Sequence, residues 1–374
     1  FHFHHVFLIA AFQLIQAHER ILPALSVVGI ERVEGVQADQ QKVPSDFTDL
    51  GGRRNTQAGH DVDFLTDAAQ FTDFLGSSLR LAVPVAFAAL GGVISERSGV
   101  TNIGLEGMIL VGAFGAATGS YYTGSAELGL LAAACAGVLA ALLLSLLSVT
   151  LRVNQLVAGI AVNLLCVGLT AFLARQVFGT ELGRAFVEGF DKIAIPVLSD
   201  IPFAGPVVFT QDAIVYLLYV LVPFSLWLLY RSTWGLNLRA TGENPEAADT
   251  AGVPVFRLRY LAVVASGVLA AVGGAHIVLS QIHLFTENMS AGKGFIALAA
   301  IILGRWNPLL AVLAAFFFGV CDAAQLRLQF ANPAVPYQAF IVLPYVASII
   351  ALIVFVGAAR QPEALGKPYD RETR

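Results

Sequence analysis

RSTWGLNLRATGENPEAADTAGVPVFRLR, residues 231–259, is a polar interval between two long apolar segments, and its reading decides how the chain is built. Within it, Asn244 is suited to cap a helix N-terminus, and Pro245 fits the first helical position, where its missing N–H costs nothing. Glu246 suits the positive end of a helix dipole, Ala247 and Ala248 favour helix, and Gly252 suits its end. The pattern predicts a short, self-contained helix held at a membrane surface by apolar spans on both sides. Nothing in lipid requires such a helix. It is either a dock for a soluble partner or an ordinary structured loop.

Composition supports the membrane setting. The 374 residues are 57% hydrophobic and 13% charged, against roughly 25% charged in an average soluble domain. A mean hydropathy of +0.73 and apolar runs near span length indicate an all-α polytopic membrane protein. The net charge of −4 says little, because orientation follows the placement of Lys and Arg. Cys135, Cys166 and Cys321 lie in apolar runs without metal-ligand spacing and read as small buried residues.

The N-terminal portion differs from the rest. It holds five of the seven histidines (His2, His4, His5, His18 and His60), few long apolar runs and many scattered charges. The run Val6–Ile15 is too short to cross a bilayer and lacks the flanks of a signal peptide. Residues 1–64 are expected to be a poorly ordered or extraneous extension, with the transmembrane domain at 65–374. Alternating His and Phe at the start offers no second ligand set, so no metal site is expected there.

Spans are predicted near 73–95, 103–123, 127–151, 155–178, 212–230, 259–281, 308–326 and 338–358. A shorter segment, 294–304, would enter without crossing as a regular helix, making eight to nine segments. Glu181, Glu188, Asp191 and Asp200 make 179–211 predominantly acidic, with Arg184 and Lys192 its basic residues. Arg231, Arg239, Arg257 and Arg259, and in the tail Arg360, Lys367, Arg371 and Arg374, put both of those regions inside the cell. Ala88-Ala-Leu-Gly-Gly92 is echoed by Ala270-Ala-Val-Gly-Gly274, and each precedes a Gly-interrupted apolar segment. That pairing suggests two pseudo-symmetric halves with broken helices along a transport pathway.

Ser95-Glu-Arg-Ser-Gly-Val-Thr-Asn-Ile-Gly-Leu-Glu-Gly107 places Asn102 and Glu106 in or near apolar sequence, where a carboxylate is costly unless paired or hydrated. Arg97 is the obvious partner for Glu96 or Glu106. The stretch is either a broken helix lining a path or a loop at the membrane surface. Asn163, His276, Asp322 and Gln325 are further polar groups in spans, suited to interhelical hydrogen bonds or to solute contact. Asn102, Glu106, Asn163 and Asp322 are the candidate pathway residues. No P-loop, His-Glu-x-x-His, Gly-x-Ser-x-Gly or paired-Cys motif occurs in the sequence. Without a means to hydrolyse ATP, such a transporter draws on an ion gradient or on another polypeptide.

Four motifs carry a resemblance: Glu96–Met108, Arg239–Asp249, Gly304-Arg-Trp-Asn-Pro308 and Ala364-Leu-Gly-Lys-Pro-Tyr369. Together, in order from about residue 65, they resemble the permease subunit of bacterial nucleoside-type ABC importers. That group lies within the wider branched-chain amino acid and simple-sugar permease family. The resemblance implies a non-enzymatic subunit of the bacterial cytoplasmic (inner) membrane, with its C-terminus cytoplasmic. The implied partners are a cytoplasmic ABC ATPase that uses the ATP, a related second permease forming a heterodimer, and an extracytoplasmic solute-binding lipoprotein. No cofactor on this chain and no nucleic acid are implied. By similarity, Gly242–Asp249 is the coupling helix, with Arg239, Gly242, Glu243, Asn244, Pro245, Ala247, Ala248 and Asp249 serving the ATPase contact. A simple-sugar permease of the ribose type is the nearest alternative. An ion-coupled secondary transporter, relying on Glu106 and Asp322, is the alternative from another class.

Overall fold

The computed structural model describes residues 68–179, 186–331, 340–355 and 360–370, so the extension expected at 1–64 lies outside the described residues. The first half comprises α1 (Ala68–Arg97), α2 (Leu105–Thr123), α3 (Ala126–Ser145) and α4 (Gln155–Phe178). A connecting segment follows, holding β1 (Ile193–Ala194), the short α5 (Ala204–Val208) and β2 (Thr210–Gln211). The second half comprises α6 (Ala213–Arg231), α7 (Thr233–Glu243), α8 (Pro245–Thr250), α9 (Val255–His276), α10 (Lys293–Leu303), α11 (Pro308–Ala331) and α12 (Leu343–Phe355). The two strands pair antiparallel, Ile193 opposite Gln211 and Ala194 opposite Thr210, and the other regular elements among the described residues are helices.

Local chemistry sets several helix starts. Asn154 Oδ1 accepts from the nitrogens of Leu156 at 3.0 Å and Val157 at 3.4 Å to open α4. Asp212 Oδ1 does the same for α6 through Ile214 at 2.9 Å and Val215 at 3.2 Å. Each satisfies backbone donors that the first turn leaves without a partner. Helices α3 and α9 run on as π-helical turns, Leu146–Thr150 and Ile277–Ile282, which the apolar pattern does not announce.

Six helices among the described residues are long and apolar enough to cross a membrane. That is fewer than the eight to nine segments expected, although helices stand at every predicted place. Of the others, α10 has 11 residues and α12 has 13, beside undescribed chain. Helix α2 has 19 residues and most of them, Gly107, Gly112 and Ser120 included, are buried, so these need not satisfy lipid; Tyr121 and Tyr122 at its end are exposed. Helices α1 and α9 are also mostly buried, whereas α3, α4 and α6 turn most of their apolar surface outward. Cys166 and Cys321 are buried as expected, but Cys135 is exposed, because it sits on the outward side of α3.

The echoed Ala/Gly motifs lie on α1 and α9, where these helices cross. A Cβ at Gly91 would stand 2.7 Å from the Ser266 carbonyl oxygen, and one at Gly273 would stand 2.7 Å from that of Pro84. The paired positions advance in opposite directions, so the two helices run antiparallel with backbones in contact. Small residues at such a crossing permit close packing where no hydrophobic force favours helix over lipid.

Polar segments gather at two opposite faces. At the loop face, Ser120 Oγ donates to the Glu188 carbonyl at 2.7 Å, Val187 N to His283 O at 3.0 Å, and Arg175 Nε to Glu287 Oε1 at 2.9 Å. That bond from Arg175 holds the Glu287 carboxyl below the usual carboxylate range. At the tail face, Thr101 N donates to Gln155 Oε1 at 2.7 Å, and Ala364 N donates to Gly242 O at 2.9 Å. The Arg-rich segment 231–259 and the tail therefore share one face, and the described part of the acidic loop occupies the other.

Candidate functional site

Two parts of the chain carry the candidate residues: the helical pair α7–α8 at the tail face, and a junction at membrane depth. In the pair, Ser232 Oγ accepts from Gly235 N at 3.0 Å and starts α7, a helix within an interval whose polar composition resembles loop. The missed signal was local, a Ser cap followed by spaced Trp234 and Leu238. Asn244 then serves twice. Its N–H donates to Ala240 O at 2.9 Å to end α7, and its Oδ1 accepts from Ala247 N at 2.9 Å to start α8. Pro245 is at the first position, Glu246 in the first turn, and Gly252 closes the unit at φ +83°. The short helix expected from the sequence is therefore present at its expected limits.

Its residues divide between two sides. Glu243, Asn244, Glu246 and Ala247 are exposed, with Pro245 and Asp249 half-buried. Ala248 is buried among Val255 and Tyr369. Gly242 is also buried, and a Cβ there would come within 2.2 Å of the Arg97 carbonyl oxygen. Arg239 is half-buried, its guanidinium 5.2 Å from the centroid of the Tyr230 ring. Outward and inward roles are thus carried by adjacent residues.

The second part forms where two non-helical segments meet. Residues 98–104 lead from the tail face to the start of α2, and 283–292 lead from the loop face to the start of α10. At 1.5 Å per residue, the 11 residues of α10 put its start about 16 Å from the tail-face turn. Glu106, in the first turn of α2, is only 5% exposed. Its Oε1 accepts from Ser290 Oγ at 2.7 Å and Gly292 N at 2.8 Å, and its Oε2 accepts from Gly294 N at 2.7 Å. One carboxylate thus meets the positive ends of two helices. Gly294 permits the approach, since a Cβ there would lie 2.3 Å from the Glu106 nitrogen.

Asn163 and Asn102 support the same junction. Asn163 Oδ1 accepts from Gly107 N at 2.8 Å, while its Nδ2 donates to Ile103 O at 2.8 Å, spanning the break before α2. Asn102 Nδ2 donates to Ser266 Oγ on α9 at 2.8 Å. Asp322 stands apart, half-buried on α11, with no hydrogen bond to the other three; Lys293 is the nearby opposite charge. The expected pairing of Arg97 with Glu96 or Glu106 does not form. Arg97 Nε donates to Trp306 O at 2.8 Å, and Trp306 Nε1 donates to Glu96 Oε2 at 2.5 Å. The left-handed backbone of Arg305 and Trp306 turns the Trp306 peptide and indole toward the end of α1, and Glu106 is satisfied elsewhere. His276 is fully buried at the loop face, 3.3 Å from Asp212.

Comparison with known proteins gives this arrangement a family context. Residues 74–359 match the family model described as branched-chain amino acid transport system / permease component. The chain is 38% identical over 309 residues to the guanosine ABC transporter permease protein NupQ of Bacillus subtilis, covering 80% of this chain and 96% of that protein. It is 36% identical over 304 residues to the nucleoside ABC transporter permease protein NupC of Lactococcus lactis, covering 79% and 96%. The provisionally named glucose ABC transporter permease protein TsgC13 of Haloferax volcanii is 39% identical over 259 residues, covering 68% and 77%. No solved structure matches the chain.

Proposed function

The chain belongs to the branched-chain amino acid transport system permease family, and from that premise we propose that it imports nucleosides as a permease subunit of an ABC transporter. It is a multi-pass membrane subunit of a transporter and not an enzyme; a separate ATPase consumes the ATP and a solute-binding protein delivers the solute. Nucleosides are favoured because NupQ and NupC, named for guanosine and nucleosides, each match over 96% of their length. The sugar reading rests on TsgC13, which matches over 77% of its length.

The observation that carries the coupling mechanism is the exposed, self-capped helix α8 standing on a buried Gly242. Its outward residues Glu243, Asn244, Glu246 and Ala247 sit in a groove of the ATPase. The tail face is then cytoplasmic, in the bacterial inner membrane, in keeping with its arginines. Movement of α8 passes through the Gly242–Arg97 backbone contact to the α1–α2 turn and on to the junction around Glu106. Glu106 and Asn163 support the pathway by holding its two helix starts, because their polar atoms already bind protein, while Asn102 ties the break to Ser266 on α9 and leaves its Oδ1 without a protein partner. Asp322, with Lys293 near it, is the member free to meet solute. Residues 65–374 form the transport unit, residues 1–64 are dispensable, and a second, related permease completes a heterodimer.

Replacing the exposed Ala247 with Arg tests the dock. We expect normal membrane levels with loss of both ATPase co-purification and uptake. Retained ATPase binding at the normal rate of uptake overturns the coupling assignment. Competition assays on the intact system test the solute: unlabelled nucleosides should displace labelled guanosine, and displacement by glucose instead would favour the sugar reading.

A further inference from the structure

The tail motif Ala364–Tyr369 has no role in the mechanism above, yet it joins the end of α7 to the α1–α2 turn at the tail face. Ala364 N donates to Gly242 O at 2.9 Å, and Gly366 N donates to Gly99 O at 3.2 Å. The tail therefore bonds to the backbone of both the docking pair and the α1–α2 turn. These chains touch through glycine. A Cβ at Gly99, whose φ is +91°, would lie 2.8 Å from Arg259 Nη2 and 3.4 Å from the Gly242 Cα. Arg259, at the start of α9, is only 2% exposed. Its Nε donates to Ser98 O at 3.2 Å, its Nη1 to Lys367 O at 3.3 Å, and its guanidinium lies 5.9 Å from the Tyr369 ring centroid. Tyr369 itself is buried beneath α8, against Ala248 and Val255, with its ring 5.5 Å from that of Phe256. Arg152 Nη1 meets Asp370 Oδ2 at 2.7 Å and fastens the end of the segment to the α3–α4 corner.

We propose that residues 361–370 form a clasp that transmits motion of α8 to the α1–α2 turn, with Arg259 and Tyr369 as its positioning residues. The inference rests on the docking reading above and goes further, by naming the route on the near side of the dock. A push on the outer side of α8 is received by Tyr369 beneath Ala248. It reaches Gly99 through the tail backbone, and Arg259 keeps the tail and Ser98 in register. A purely structural tail would not need to bond both Gly242 and Gly99 while it packs Tyr369 beneath Ala248.

The test uses the assembled transporter. Tyr369→Ala should keep ATPase co-purification but lose uptake, and ATP hydrolysis should no longer rise with solute-loaded binding protein. Tyr369→Phe, which keeps the ring, should restore both. Normal uptake and stimulation by Tyr369→Ala overturns the clasp, as does loss of ATPase binding, since the tail would then only shape the dock. Should Tyr369→Ala fail to reach the membrane, Arg152→Cys with Asp370→Cys, bridged by a bifunctional thiol reagent that spans an Arg–Asp pair, gives the answer. Bridging, verified by mass, should arrest uptake, whereas full uptake in the bridged protein overturns the proposal. Ala247→Arg separates the two readings. If it abolishes ATPase binding while Tyr369→Ala transports normally, the dock stands and the clasp falls.

Discussion

Asn244 and Glu106 perform the same task in opposite settings. Each supplies oxygen to the orphan N–H groups at the start of a helix. Asn244 is exposed and reaches a nitrogen three residues ahead. Glu106 is buried and reaches donors 184 to 188 residues ahead, at the start of a helix from the other half. At the surface, water can replace a lost cap. At the junction it cannot without opening the packing around Gly294, so the same chemistry carries a much larger consequence. The difference also separates a contact that shapes one short helix from one that joins two halves of the molecule.

The largest effect is therefore expected at Glu106. Glu106→Ala leaves three buried donors without acceptors, and each such loss costs about 1–3 kcal/mol. Thermal unfolding of the detergent-solubilised chain should fall sharply, with uptake lost. Glu106→Gln keeps one carbonyl oxygen but turns an N–H donor toward the remaining backbone donors, so it should fall between Ala and the native residue. If Glu106→Ala were no more harmful than loss of the Asn244 cap, the distinction between buried and exposed caps would break down.

A smaller effect is expected at Gly294. Adding one methyl drives a Cβ into the Glu106 backbone, and that atom has no flexible end that could move aside. Overpacking of this kind typically costs about 1–3 kcal/mol. Gly294→Ala should lower the unfolding temperature less than Glu106→Ala and reduce uptake by separating the two helix starts. Unchanged stability and uptake would mean that the junction is looser than its hydrogen bonds indicate.

The same contrast explains what the sequence could reveal. The α8 unit was legible because its cap, first-position proline and terminal glycine lie within nine residues of one another (244–252). Span positions were legible from apolar length, and α4 begins and ends at its predicted residues, 155 and 178. The partners of Glu106 were not legible, since nothing near it points to Ser290 or Gly292. Nor was the choice of Arg97, which bonds a carbonyl on Trp306 and neither of the two carboxylates near it in sequence. Sequence spacing likewise could not divide Ala247 from Ala248, because their sides depend on where Tyr369 returns from the far end of the chain. Helix α7 was missed for a different reason: its cap was present, but its polar residues resembled loop.

The smallest effect is expected at Asn244 itself. Asn244→Ala removes the side-chain oxygen that meets Ala247 N, while Pro245 still fixes the first helical φ and Gly252 still closes the far end. Loss of an exposed cap costs about 1 kcal/mol, and water can reach the freed nitrogen. Stability of the whole chain should therefore barely change. The consequence should appear in the partner contact, because a six-residue helix without its cap frays at the end that carries Pro245 and Glu246. ATPase co-purification should weaken modestly, to be measured as the concentration of ATPase needed for half-maximal uptake in reconstituted vesicles. Asn244→Asp retains an acceptor and adds negative charge at the positive helix end, so it should restore native behaviour. If Asp behaves like Ala, the Asn244 amide itself contacts the ATPase, and its role at the dock exceeds that of a cap.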